Sequence, residues 1–258
     1  MDFLIAIILG VVEGLTEFLP ISSTGHLILA SQLLNVAQDN FVKSFEIAIQ
    51  VGAILSIVVL YWKQLLLNLK IIKRLIVAFI PTAIIGVVLY KAFKAVLLGD
   101  TTLVLISLFA GGAFIVFFEK FWPEKQNIEK MEEISYKNCI LIGIFQSFSI
   151  IPGVSRAAPT ILGGLALGLK RKTIVEFSFL LAVPTFLAAT GYDLLQSAGT
   201  FSFAQFDLLA VGFVAAFVAA IFTVKYFLSY VKNHDFKIFG IYRMIIAVLF
   251  ALLVLQLV

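Results

Sequence analysis

Long runs of almost unbroken hydrocarbon limit what this chain can become. Residues 42–62, 71–93, 101–121, 174–195, 206–228 and 238–257 are apolar stretches near the ~20 residues that a helix needs to cross a bilayer. Hydrophobic residues make up 62% of the 258, and only 13% are charged, against roughly 25% in a soluble domain. Backbone in hydrocarbon has to satisfy its own hydrogen bonds, so the expected class is an all-α polytopic membrane protein. The net charge of +4 comes without a basic cluster large enough for a duplex. No nucleic acid partner is expected, and the charges read as topology signals. Cys139 is the single cysteine, so neither an internal disulfide nor a cysteine-based metal site is available. Residues 2–19 lack a small-residue cleavage pattern, so that first apolar segment is expected to stay.

Four shorter segments break the pattern. Residues 3–18 form a helix that Pro20 ends, because the residue before a proline avoids helical angles. A second helix starts at Ser23 or Thr24, where a hydroxyl can cap it, and runs to about Leu34. Later, 135–151 ends at Pro152, and 157–169 is closed by Lys170-Arg171-Lys172. Each pair is too short for two crossings, so the expectation is six transmembrane helices plus two re-entrant helical hairpins. With the 63–74 loop in the cytoplasm, loops 63–74, 119–137, 169–173 and 225–243 hold nearly all Lys and Arg on that side. Lys43, Lys91 and Lys94 fall outside, and Arg156 is the only arginine placed at membrane depth.

The two hairpins resemble each other. In 10–29 and 143–162, Glu13 stands opposite Gln146 and Thr16 opposite Ser149, and Ser22-Ser23 can be brought level with Ser155-Arg156. Each is followed by a polar-marked span, Phe45-Glu46 in one case and Glu176-Phe177 in the other. Residues 1–258 are therefore one membrane domain built from an inverted-topology repeat, 1–122 and 135–258. Such repeats place a binding site where broken helices converge.

The polar residues at that convergence suggest chemistry. Glu13 and Glu17 are four apart on one helix face and can hold a divalent cation or share a proton. Protonated carboxyls bonded across helices are the structural alternative. Ser22, Ser23 and Thr24 precede a helix N-terminus, whose free N–H groups suit an anion, although capping needs only one hydroxyl. His26, three residues after Ser23, is either a general acid or base for that serine or a hydrogen-bonding residue. Arg156 needs Glu13, Glu17 or a phosphate as partner, and Ser155 can cap the following helix. Glu46 and Gln50 share a face behind the site. Glu176, Asp193 and His234 lie near span ends or in a loop, where exposure explains them. An anion cradle, an arginine, paired acids and a Ser/His pair suggest phosphate chemistry on an amphiphile. A secondary transporter or lipid-phosphate flippase is the other class, because inverted repeats are common there.

The run Glu13-Gly-Leu-Thr-Glu17-Phe-Leu-Pro-Ile-Ser-Ser-Thr-Gly-His26 resembles the first signature of the bacterial undecaprenyl-diphosphatase (bacitracin-resistance) family. Pro152-Gly-Val-Ser-Arg156 resembles the second, and Glu176–Pro184 also looks like that family. The resemblance implies a hydrolase of the bacterial cytoplasmic (inner) membrane that converts undecaprenyl diphosphate to undecaprenyl phosphate and phosphate. That reaction recycles the carrier lipid for peptidoglycan synthesis. The resemblance further implies re-entrant hairpins, a site open to the outer face, dependence on a divalent cation (Mg2+ or Ca2+), and contact with bilayer lipid. A homodimer is left open. It matches Ser23, His26 and Glu17 to catalytic positions and Glu13 and Glu17 to the metal. Arg156, Ser155, Ser22 and Thr24 match phosphate-binding positions. After the arginine, the family pattern has Ser followed by Gly or a small residue, whereas this chain has Ala157-Ala158-Pro159.

Overall fold

The computed structural model describes residues 1–37, 39–96, 101–122, 127–196 and 205–257, without the side chains of 40, 89–96, 193–196 and 254–257. The side chains of Lys91, Lys94 and Asp193 therefore lie outside the described set. All regular elements among the described residues are helical, in the order α1 Phe3–Thr16, α2 Ser23–Leu33, α3 Asn40–Leu60, α4 Trp62–Leu67, α5 Leu69–Val96 and α6 Thr101–Phe121. The second half continues with α7 Tyr136–Ser147, α8 Ala157–Ala166, α9 Arg171–Gln196, α10 Phe206–Tyr230 and α11 Lys237–Leu257. Short 3-10 turns cover Met131–Glu133 and Phe148–Ile150.

Helix starts follow from local chemistry. The Asp2, Asp39 and Ser135 side chains accept from the N–H three residues on, at 2.9, 2.8 and 3.1 Å, and so cap α1, α3 and α7. Pro81 lies inside α5, where it removes a main-chain donor, yet the helix runs through it. Neighbouring helices stabilise such a site: α7 packs there, with Gly143 against the Ala78 carbonyl. α4, which overlaps the expected 63–74 loop, is a six-residue helix that sequence reading passed over.

Among the described residues, five helices, α3, α5, α6, α9 and α10, are long and apolar enough to cross a membrane. α11 has 21 residues, the last four with side chains outside the described set. By contrast, α1, α2, α7 and α8 have 14, 11, 12 and 10 residues. At 1.5 Å per residue each is roughly 15–21 Å long, short of a hydrocarbon core of about 30 Å. Large apolar side chains stay exposed on the long helices, among them Val87, Val88, Phe114, Phe117, Phe222 and Leu252. Together with the apolar spans, that surface marks a polytopic membrane protein in contact with lipid.

The interior is organised around α9, where Phe177, Phe179, Leu180, Leu181 and Ala182 are wholly buried. α1 packs along α10, α7 along α5, α3 against α10 and α6 against α11. Close approach at α1–α10 depends on small residues. A Cβ on Gly14 would lie 2.7 Å from the Ala219 Cβ and collide with the Ala216 carbonyl, and one on Gly10 would meet the Gly212 carbonyl. At the polar end, Arg171 grips Glu119 through two hydrogen bonds of 2.5 and 2.8 Å, and the Phe236 N–H adds a third at 3.0 Å. This clamp joins α6, α9 and the start of α11. The polar loop is tied down as well: Asn127 and Ile128 donate to the Gly168 carbonyl at 2.9 and 3.1 Å, and Lys170 donates to Ile128 at 3.0 Å.

Gly14→Ala should therefore destabilise the fold by about 1–3 kcal/mol, the usual cost of overpacking. Gly191→Ala, whose Cβ meets nothing within 4 Å, should not. Unfolding midpoints in detergent check the contrast.

Candidate functional site

The short helices bring their broken ends together. α1 stops at Thr16, two residues before the expected end, which leaves Glu17 at its C-cap with 5% exposure. The chain then turns through Pro20, and α2 begins at Ser23. Ser22, rather than Ser23 or Thr24, is the cap: its Oγ accepts from the Gly25 N–H at 3.3 Å. In the second hairpin, Ser155 does the same for the Ala158 N–H at 3.4 Å, as expected. Both serines sit in the left-handed region, with φ of 73° and 79°. That region is rarely adopted by residues other than glycine.

Freed from capping, the Ser23 hydroxyl donates to Glu17 Oε2 at 2.6 Å. Arg156 approaches the same carboxylate from the second hairpin, with Nη2 at 3.0 Å from Oε1. Its Nη1 donates to the Ser178 carbonyl and hydroxyl at 2.8 and 3.2 Å. The rings of Phe18 and Phe186 flank the guanidinium, with centroids 5.9 and 5.8 Å from Cζ. Arg156 Nε is buried and has no protein acceptor. Of the partners expected for Arg156, the structure selects Glu17.

Glu13, one turn earlier on α1, is wholly buried, and neither of its carboxylate oxygens has a hydrogen-bond partner. Gln146 is equally buried, but its amide donates to the Thr82 and Thr185 hydroxyls at 3.0 and 3.1 Å. His26 does not meet Ser23. Its Nδ1 donates to the Ser22 carbonyl at 2.8 Å, and its Nε2 accepts from the Tyr242 hydroxyl at 2.8 Å. Side chains on a helix lean toward its N-terminus. From the first turn of α2, Ser23 therefore leans to Glu17 and His26 to the carbonyl behind it.

A cavity of about 490 Å³ opens at this junction. Glu17, Ser22, Ser23, Thr24, Ser155 and Arg156 line its polar part, while Phe79, Val87, Ile151, Phe186 and Ala189 line the apolar remainder. Gln50 of α3, expected behind the site together with Glu46, lines the cavity itself. Glu176 is half-buried beside Lys172 at 3.9 Å, and His234 is exposed.

Three contributors went unread in the sequence: Ser178, Tyr242 and, most of all, Arg243. Arg156 is not the only arginine at depth. Arg243 of α11 is completely buried between both hairpins and α6. Treating it as the end of a cytoplasmic loop missed it, although the apolar stretch 238–257 already contained it.

Fold and centre define a helical membrane protein whose hydroxyl–carboxylate–arginine site sits at the broken ends of short helices. The chain belongs to the family described as bacitracin resistance protein BacA, whose pattern matches residues 6–249. It is 48% identical over 246 residues to an undecaprenyl-diphosphatase of Aquifex aeolicus, covering 95% of this chain and 96% of that one. The enzyme of the same name from Persephonella marina is 49% identical over 256 residues, covering 99% and 100%. That from Thermus thermophilus is 44% identical over 254, covering 97% of each. The resemblance carried by the two signatures is thereby borne out.

Removing one partner of the buried Glu17–Arg156 pair strands the other. Glu17→Gln and Arg156→Gln should each cost about 3–5 kcal/mol. The double variant should lose clearly less than the sum, because the residues touch. A double-mutant cycle by unfolding in detergent measures this coupling.

Proposed function

We propose that this protein hydrolyses undecaprenyl diphosphate to undecaprenyl phosphate and inorganic phosphate, as its relatives are named for doing. One observation carries the reading: a serine hydroxyl sits 2.6 Å from a buried carboxylate that an arginine also holds, at the polar end of an otherwise apolar cavity. A nucleophile bonded to a base, itself oriented by a third group, is the arrangement covalent catalysis needs.

Arg156 binds the diphosphate, using its unsatisfied Nε, and the N-terminus of α2 adds N–H donors. Ser23 Oγ attacks the terminal phosphorus as its proton passes to Glu17. The bond from that phosphorus to the bridging oxygen breaks, Glu17 hands the proton to that oxygen, and undecaprenyl phosphate leaves. Glu17, again a carboxylate, takes a proton from water as the water oxygen attacks the phosphoserine phosphorus; the Ser23 Oγ–phosphorus bond breaks, and Glu17 returns the proton to Oγ as inorganic phosphate leaves. Direct attack by water, with Ser23 only binding phosphate, is the competing route. Ser22, Ser155 and Thr24 hold the phosphate-facing turns, and His26 acts on Ser23 through the Ser22 peptide it binds.

Glu13 and Glu17 would hold a divalent cation, Mg2+ or Ca2+. The fit rests on the two unpartnered, buried oxygens of Glu13. An all-oxygen donor set with few carboxylates suits a hard cation that takes its other ligands from substrate phosphate and water. Such an ion would neutralise charge on the diphosphate.

The same reading gives six spans and two re-entrant hairpins, related as an inverted repeat. The short arms support it, as do the matched left-handed serines and the packing of α1 on α10 and of α7 on α5. The protein would lie in the bacterial inner membrane. The cavity is lined by later residues of α5 and α9, such as Val87 and Tyr192, far from the basic starts of those helices. That supports a site open to the outer face, with the prenyl chain leaving between α5 and α9.

Purified protein should release phosphate from undecaprenyl diphosphate, and a chelator should stop it. Glu17→Gln should lower turnover by about 10²–10⁴-fold, the usual share of a general base. Ser23→Ala with near-normal turnover would rule out the covalent route, and no phosphate release by wild type would rule out the enzyme in favour of a transporter.

A further inference from the structure

Arg243 uses every N–H it has. Nε donates to the Leu108 carbonyl at 3.2 Å. Nη1 donates to Pro20 at 3.2 Å and Val154 at 2.9 Å. Nη2 donates to Ser107 at 3.1 Å and Gly153 at 2.8 Å. An arginine has five N–H donors, and here each meets a main-chain carbonyl. Among the described residues no carboxylate pairs with it. The guanidinium is therefore solvated by carbonyl dipoles alone, three of them from the turns of the two hairpins.

Room for it is built into α6. A Cβ on Gly111 would collide with Nη2 and lie 2.8 Å from Cζ, and Gly112 lets the Gly240 turn of α11 come close. A side chain that only filled this gap could be apolar at lower desolvation cost. What an apolar residue cannot do is fix the direction of peptide groups.

In a trans peptide the C=O and N–H point opposite ways. Holding the Pro20 and Gly153 carbonyls directs the Ile21 and Val154 N–H groups away from Arg243, where they donate to Leu19 at 2.8 Å and Ile151 at 3.2 Å. Holding the Val154 carbonyl directs the Ser155 N–H away too. No acceptor for that N–H is found among the described residues, and Ser155 lines the cavity.

We propose that Arg243 is a positioning residue of this centre. It fixes the two turns against each other and aims the Ser155 N–H at the phosphate that Arg156 binds. This rests on the reading of the cavity as a diphosphate site. It also explains how Ser22 and Ser155 are kept in left-handed conformations, since such strain persists only where the surroundings over-determine it.

The test compares wild type, Arg243→Lys, which keeps the charge with three donors, and Gly111→Ala, which displaces the guanidinium without replacing it. Three readouts are taken: melting in detergent, kcat/KM on undecaprenyl diphosphate, and inorganic pyrophosphate affinity by calorimetry. A folded Arg243→Lys should lose about 10²–10³-fold in kcat/KM, the effect of losing one aimed backbone donor. Its pyrophosphate affinity should fall at least ~5-fold, and Gly111→Ala should move the same way by less. A purely structural arginine would lower the melting temperature and leave the pyrophosphate affinity of the folded fraction alone.

Wild-type values of both in folded Arg243→Lys overturn the proposal. If Arg243→Lys does not fold, Gly111→Ala is judged by the same criteria. Failure of both to fold makes Arg243 a folding residue only and overturns it as well. If wild type binds pyrophosphate yet releases no phosphate from the lipid, the enzymatic reading fails while the pyrophosphate comparison still decides the role of Arg243. If wild type does not bind pyrophosphate, both fail.

Discussion

The ion pair between Glu17 and Arg156 is the contact on which the arrangement turns. It is buried on both sides, 3.0 Å long, and joins residues 139 apart in sequence. Two charges in hydrocarbon are tolerable only if their remaining valences are met. Ser23 meets one for Glu17, and Ser178 meets one for Arg156. Those four residues lie on α1, α2, α9 and the turn before α8. Satisfying one charge pair thus sets the relative placement of both hairpins and the central helix.

The two buried arginines do different work, and hydrogen-bond accounting separates them. Arg243 has all five N–H groups engaged by carbonyls, so its interactions are complete within the protein. Arg156 keeps Nε unpaired, and Glu13 keeps both oxygens unpaired, within the same region. Unsatisfied polar atoms in an interior are destabilising. These are the atoms on which the proposed binding of an anion and a cation rests.

Much of this was legible in the sequence, because the bilayer makes hydropathy a strong constraint. The long helices followed from apolar length, the hairpins from proline and hydroxyl runs, and Glu17 and Arg156 from the cost of charge at depth. Legibility ended where contacts depend on three-dimensional direction. Ser23 and His26 look like a pair at a spacing of three, but the lean of side chains along α2 sends them to different acceptors. Arg243 was hidden because its partners are carbonyls, which carry no residue-specific signal. Its only sequence trace was its place six residues into α11, opposite the Gly111-Gly112 pair.

The serines at the two turns show why the site is not made of glycine. Glycine would adopt the left-handed backbone at positions 22 and 155 without strain. It would also remove the hydroxyls that accept from the Gly25 and Ala158 N–H groups at the starts of α2 and α8. Retaining serine exchanges backbone strain for a satisfied helix start. Because Ser22 takes the cap, Ser23 is free to bond Glu17. The equivalent cap by Ser155 leaves Arg156 free to reach across to the same carboxylate. One strained residue in each turn thus releases its neighbour for the centre, and the carbonyl grip of Arg243 holds both turns in that state.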